Sequence, residues 1–191
     1  MLHTLAAVVD EATAAFEDYD HAKALDAVER SFWGFTDDYL ELVKQRAYGS
    51  HGTEASGSAV AGLRTALGTY LRLFAPFLPY VTEEVWSWWR DGSVHVAEWP
   101  TAEELTEIGN GDPAVYEMAA AVLREVRRTK ALAKVSLRTP IERVLVRDTA
   151  ERLALLRLAE QDVRGAGSIR ELETMQAEGS SVDVALAEPT T

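Results

Sequence analysis

Cysteine is absent from these 191 residues, which removes disulfides, thiolate metal sites and a cysteine nucleophile and suits a cytoplasmic protein. Long apolar runs are absent too. A membrane-crossing helix needs about eighteen consecutive apolar residues, and the chain has none. The N-terminus lacks the basic region and apolar stretch of a secretory signal. Positive charge is scarce: 19 Lys and Arg face 31 Asp and Glu, for a net charge of −12. That argues against non-specific nucleic-acid binding, whose affinity comes from broad phosphate neutralisation, while leaving room for a local basic face. There are only four histidines, His3, His21, His51 and His95, and none pairs with another at metal-ligand spacing. A di-metal helical bundle would need Glu-x-x-His twice; the nearest feature is Asp18-Tyr-Asp-His21. No Walker loop, nucleophile elbow or dinucleotide fingerprint occurs.

Hydrophobic residues make up 47% of the chain, enough for a sizeable core. Leu2, Leu5, Val9, Ala12 and Phe16 step by three and four and predict a first helix. Asp20 is a candidate N-cap for a second helix from about His21 to about Ala47. That helix has Phe32, Phe35, Tyr39 and Leu42 on one face and Asp37, Asp38 and Glu41 on the other. Gly34 inside it suggests close packing of another helix there. Tyr48 to Ser58 reads as a flexible loop, and about Ala59 to Ala75 as a helix. Pro76 and Pro79 break it, and Thr82 is expected to cap a short helix ending at Gly92. Ser93 to Trp99 reads as extended and Thr101 to Gly111 as an acidic connector. Asp112-Pro113 opens a helix reaching about Ala133. Beyond Pro140 the period changes: Ile141 to Arg147 is strand-like. Asp148 is the expected cap of a helix from Thr149 to about Val163, and Arg164 to Gly167 read as a turn. Ser168 to Glu173 and Val182 to Leu186 are expected to be extended, and Glu188 to Thr191 disordered. The fold class is mainly α: a helical bundle over 1–138, followed by a small α+β subdomain over 139–191.

The strongest functional signal is Val122 to Arg138, which carries Arg124, Arg127, Arg128, Lys130, Lys134 and Arg138 against Glu125 alone. A phosphate-tracking surface is one reading. A helix C-terminus decorated with dipole-friendly cations is the other, and charge alone leaves the two level. The carboxylates of Asp37, Asp38 and Glu41 are adjacent on one helix and read first as a solvated acidic face. Trp33, Trp86, Trp88, Trp89 and Trp99 are candidates for base stacking, although Trp86 and Trp99 fit a core better.

Four blocks in order carry a family resemblance. FWGFTDDYLELVKQRAYG (Phe32 to Gly49), LRLFAPFLPYVTEEVWSWW (Leu71 to Trp89), GSVHVAEWP (Gly92 to Pro100) and the basic LREVRRTKALAKVSLRTPI segment resemble the anticodon-binding domain of valyl-tRNA synthetases. The Pro-Phe-x-Pro and Thr-Glu-Glu features are shared with isoleucyl and leucyl relatives. The resemblance implies a class Ia anticodon-binding bundle whose first helix is missing, cut from a larger enzyme. It implies no catalytic residue in this chain, because the His-x-Gly-His and Lys-Met-Ser-Lys-Ser signatures are absent. No cofactor is expected here; ATP and magnesium would belong to the absent catalytic domain. The implied partners are the anticodon stem-loop of valine tRNA and the catalytic body of the same synthetase, with no membrane and no DNA. Lys44, Arg46, Arg124, Arg127, Arg128, Lys130 and Lys134 would contact phosphate or sugar. Asp38 or Glu41 would accept from a base edge or orient a cation, and Phe77 and Tyr80 are candidates for an apolar base platform. The alternatives are a helical protein–protein interaction module, or the equivalent domain of an isoleucyl or leucyl enzyme.

Overall fold

The computed structural model describes residues 1–108 and 111–187. In chain order the elements are α1 (Leu2–Glu17), α2 (His21–Gly34), a π-helical segment (Phe35–Tyr39), α3 (Leu40–Ala47), α4 (Thr53–Phe74), α5 (Pro79–Ser87) and a 3₁₀ turn (Val94–Val96). Then come α6 (Ala102–Thr106), α7 (Pro113–Leu132), β1 (Ile141–Asp148), α8 (Ala150–Leu158), α9 (Glu160–Gly167), β2 (Ile169–Gln176) and β3 (Ser181–Leu186). The fold is mainly α with a small α+β region at its C-terminal end. No helix among the described residues is long and apolar enough to cross a membrane. The expectation about Glu188 to Thr191 lies outside the described residues.

By compactness the chain divides into Met1–Asp37 with Gly57–Gly111, and Asp38–Ser56 with Asp112–Thr191. In the first unit α1 buries Leu5, Val9 and Ala12, and α2 buries Ala24, Ala27 and Val28. Asp20 caps α2 by accepting from the Lys23 N–H at 3.0 Å. An aromatic cluster joins α2 to α4: Phe32 meets Phe74 edge-on at 5.4 Å, and Ser31 Oγ lies 2.7 Å from the Tyr70 hydroxyl. Trp99 donates to Thr13 Oγ1 at 2.9 Å.

Several boundaries differ from expectation for identifiable reasons. Helix α5 starts at Pro79, not at Thr82, because proline is pre-organised for the first helical position; Thr82 sits inside the helix and donates to Leu78 O. Glu83 then reaches forward to accept from Ser93 Oγ at 2.8 Å and Val94 N at 3.0 Å, which curls the expected extended segment into the 3₁₀ turn. Within the acidic connector, Thr101 and Glu104 form a capping box that starts α6. Helix α4 begins at Thr53, and Ser56 Oγ donates to Ala47 O at 3.0 Å, so much of the expected loop is helical.

A Cβ added at Gly34 meets nothing within 4 Å, so close helix packing does not explain that glycine. Gly34→Ala is therefore expected to stabilise the first unit by about 0.5–1 kcal/mol through lower backbone entropy of the unfolded chain. All five tryptophans lie between residues 33 and 99, so fluorescence-detected urea unfolding reads this unit. A lower midpoint would show that the neighbouring π segment needs the glycine.

In the second unit Asp112 caps α7 through the Ala114 N–H at 2.9 Å. Helix α7 buries Met118, Ala119, Val122, Leu123 and Val126 in one core with Ile141, Val144 and Val146 of β1 and Leu153, Leu156 and Val163 of the following helices. The sheet order is β2-β1-β3, with β1 parallel to β2 and antiparallel to β3. The parallel pairing requires the crossover that α8 and α9 supply. Thr149, not Asp148, caps α8, accepting from the Arg152 N–H at 3.4 Å. Asp148 closes β1 as a buried carboxylate that accepts from Thr149 N, Arg152 Nε and Ser180 Oγ. Burial alone would raise its pKa; these donors outweigh that and hold it below the usual range. The expected turn at Arg164 to Gly167 is the last turn of α9, and its glycines serve close approach. A Cβ at Gly165 would lie 2.5 Å from Gln45 Oε1, and one at Gly167 2.7 Å from Ile169 Cδ1.

Candidate nucleic-acid interface

The site is built where the π segment hands the chain on to α3. A π turn holds an extra residue, so the buried face does not continue at the α-helical period. Extrapolating the stripe of α2 places Asp38 on the solvent side. In the structure Asp38 is buried at 7% exposure, and Leu42 and Val43 follow it inward. Its carboxylate is shared: Arg124 Nη1 donates to Oδ2 and Arg127 Nη1 to Oδ1, each at 3.0 Å. Arg124 and Arg127 lie on α7 at an i, i+3 spacing, which puts both on one helix face. Two cations on one buried carboxylate leave a net positive site with fixed guanidinium planes. Tyr116 lies beside it, its hydroxyl pushed up to about 12 by burial and then by the Asp38 charge. Its ring meets Tyr39 edge-on at 5.7 Å.

Of the other predicted contacts, Glu41 and Lys44 pair with each other on α3 at 3.1 Å. Together with Arg127, Lys130 and Arg138 they line a cleft of about 430 Å³. Lys130 is the exception among the cations. It is 1% exposed, and its Nζ donates to Leu137 O at 2.8 Å and Gly167 O at 2.9 Å. Burial, then the Arg127 charge, holds its pKa below the usual lysine range. Arg128 is exposed and pairs loosely with Glu125 at 3.4 Å.

Lys134 is exposed at the end of α7 with φ +54°. Its N–H donates to Ala131 O and the next N–H, of Val135, to Lys130 O, a Schellman closure with lysine where glycine is usual. Arg46 lies apart from this group. It pairs with Asp162 at 2.7 Å and lines a separate cleft of about 600 Å³ with His51, Arg157 and Arg164. Phe77 and Tyr80 belong to the first unit: Phe77 is half-buried against Phe16 at 5.6 Å, and Tyr80 is 90% exposed.

Sequence reasoning missed Asp162, which pairs with Arg46, and Gln45, which packs against Gly165; both contacts arise only in the fold. It counted Arg138 among the cations without giving it a contact. The inward position of Lys130 had a signal: it continues the Val122, Val126 stripe at four-residue steps. No group of three or more metal-ligating side chains occurs among the described residues.

The fold is a helical scaffold that presents Arg124 and Arg127, held by Asp38, beside a cleft whose charged lining residues are mainly cations. The family model of the anticodon-binding domain of tRNA ligase matches residues 1–146, and the chain belongs to that family. Among curated relatives, the valine--tRNA ligase of Thermobifida fusca is 52% identical over 190 residues, which cover 98% of this chain and 21% of the relative. That of Salinispora tropica is 47% identical over 193 residues, covering 93% of this chain and 22% of the relative. That of Leifsonia xyli is 46% identical over 189 residues, with 98% and 22% covered. The chain spans about a fifth of the length of these relatives.

Proposed function

We propose that the chain is the part of a cytoplasmic valine–tRNA ligase that holds the anticodon stem-loop of valine tRNA, with ATP and magnesium handled by a catalytic part outside this chain. The observation that carries the reading is the buried Asp38 carboxylate holding Arg124 and Arg127 on one face of α7. Surface decoration of a helix end needs no such partner, whereas a backbone-binding surface gains from guanidinium groups fixed in advance. Lys44, Arg128 and Lys134 extend the positive surface around them, and the exposed Tyr80 remains the candidate base platform of the first unit.

Reversing Arg124 or Arg127 would strand the Asp38 carboxylate, so the test uses Arg128 and Lys134, which have no buried partner. Arg128→Glu with Lys134→Glu is expected to weaken valine tRNA binding about 10- to 100-fold near physiological salt. It should also reduce the log–log salt slope by roughly 1.5. An unchanged slope would remove these residues from the interface. Equal affinity for valine and isoleucine tRNA would remove the valine assignment.

A further inference from the structure

The first unit carries most of the negative charge of the chain. Its only Lys and Arg are Lys23, Arg30, Arg64, Arg72 and Arg90, against fifteen Asp and Glu. On it lies a pocket of about 410 Å³, lined by Thr13, Phe16 and Glu17 of α1 with Pro76 and Trp99. That volume falls within the roughly 300–1,000 Å³ range of small-ligand sites. Phe16 and Trp99, both half-buried, stand nearly perpendicular, at 83° with ring centroids 5.2 Å apart. Both rings are held in place. Phe16 packs on Phe77 at 5.6 Å and meets His21 edge-on at 5.4 Å. The Trp99 indole N–H is tied to Thr13 Oγ1 at 2.9 Å.

The chemistry of the lining is one-sided. Thr13 gives its own proton to Val9 O at 2.7 Å, and the Trp99 N–H goes to Thr13, so both side-chain donors of the lining are committed. None of the five Lys and Arg of the unit lines the pocket, and Glu17 is its one charged residue. The Glu17 side chain is exposed and makes no hydrogen bond or ion pair within the described residues.

We infer that this pocket binds an organic cation: the guanidinium or ammonium head of a basic side chain, or a free cation of the same kind. An anion would meet a carboxylate and find no free side-chain donor. An uncharged apolar ligand would use the rings and leave Glu17 unpaired. A cation with an alkyl body uses both, since aromatic rings attract it electrostatically and Glu17 supplies the counter-charge. The site stands apart from the RNA reading and does not depend on it.

The test titrates the 191-residue chain with N-acetylargininamide and with choline, each beside its uncharged isostere, N-acetylcitrullinamide and the carbon analogue of choline. Binding is followed by the indole N–H resonance of Trp99 and the amide resonances of Phe16 and Glu17. At least one cation is expected to bind about 5- to 30-fold more tightly than its isostere. Glu17→Gln, at an exposed position without a partner, is expected to keep the fold and to weaken that cation about fivefold. Tighter binding of N-acetylargininamide identifies a protein side chain as the occupant, and tighter binding of choline a free quaternary ammonium; either upholds the site. Equal affinity for cation and isostere, cation affinity unchanged by Glu17→Gln, or shifts confined to other residues would overturn the inference.

Discussion

Lys130→Met is expected to lower the stability of the second unit by about 2–4 kcal/mol, although it replaces a buried charge with an apolar side chain of similar length. Exchanging a whole buried ion pair for hydrophobic residues is often neutral. Here the acceptors are the backbone carbonyls of Leu137 and Gly167, which remain after the substitution. Leu137 is 63% exposed, so water can reach its carbonyl; Gly167 is buried, and its carbonyl would be left without a donor. Hydrogen exchange at the β1 amides of Val144 and Val146 reads the loss, because both are fully buried in the core that α7 shares.

The pH dependence gives an independent signature. Burial, with help from Arg127, depresses the Lys130 pKa in the folded state. Between that depressed value and the unfolded value of about 10.4, the unfolded chain binds more protons, so native stability rises with pH. The contribution is present in full above the unfolded pKa and is lost as pH falls through the folded one. The gap between native protein and Lys130→Met should therefore widen on alkalinisation. A gap that stays flat or closes would mean that the fold does not depress the Lys130 pKa.

What the sequence revealed and what it hid follow one physical line. Features encoded by neighbours were legible. The caps at Asp20 and Asp112, the strand alternation at Val144 and Val146 and the stripe of α7 all come from local chemistry, and all hold. Features set by a change of period or by a distant partner were not. The π segment is a local irregularity without a composition signature, yet it moves Asp38 from the predicted solvent face to the interior. Gly165 and Gly167 looked like turn residues because glycine is ambiguous between left-handed backbone and close approach. The packing of Gln45 and Ile169 decides for close approach. Arg46 was grouped with Lys44 by adjacency, but Asp162, more than a hundred residues away in sequence, draws it to another cleft. The basic segment of α7 was found from charge alone. Its division into fixed arginines, an interior lysine and free cations needed the fold.

Asp38→Asn separates charge from geometry in the opposite sense. The substitution removes a negative charge from a surface read as binding RNA, so electrostatics alone predicts tighter binding. If Asp38 instead holds Arg124 and Arg127 in place, its loss frees two rotamer-rich side chains that must be ordered again on binding. At about 0.5–1.5 kcal/mol each, that is a roughly 5- to 150-fold weaker complex. The guanidinium charges remain, so the salt slope should be nearly unchanged while the dissociation constant rises. Lengthening Asp38 to Glu keeps the charge and, if a single carboxylate within reach of both arginines is sufficient, should restore part of the affinity. Stability should fall by about 2–4 kcal/mol, since two charge-assisted hydrogen bonds at 3.0 Å are lost from a buried position. Tighter RNA binding by Asp38→Asn would refute the orienting role and leave the carboxylate as a structural tie between the π segment and α7.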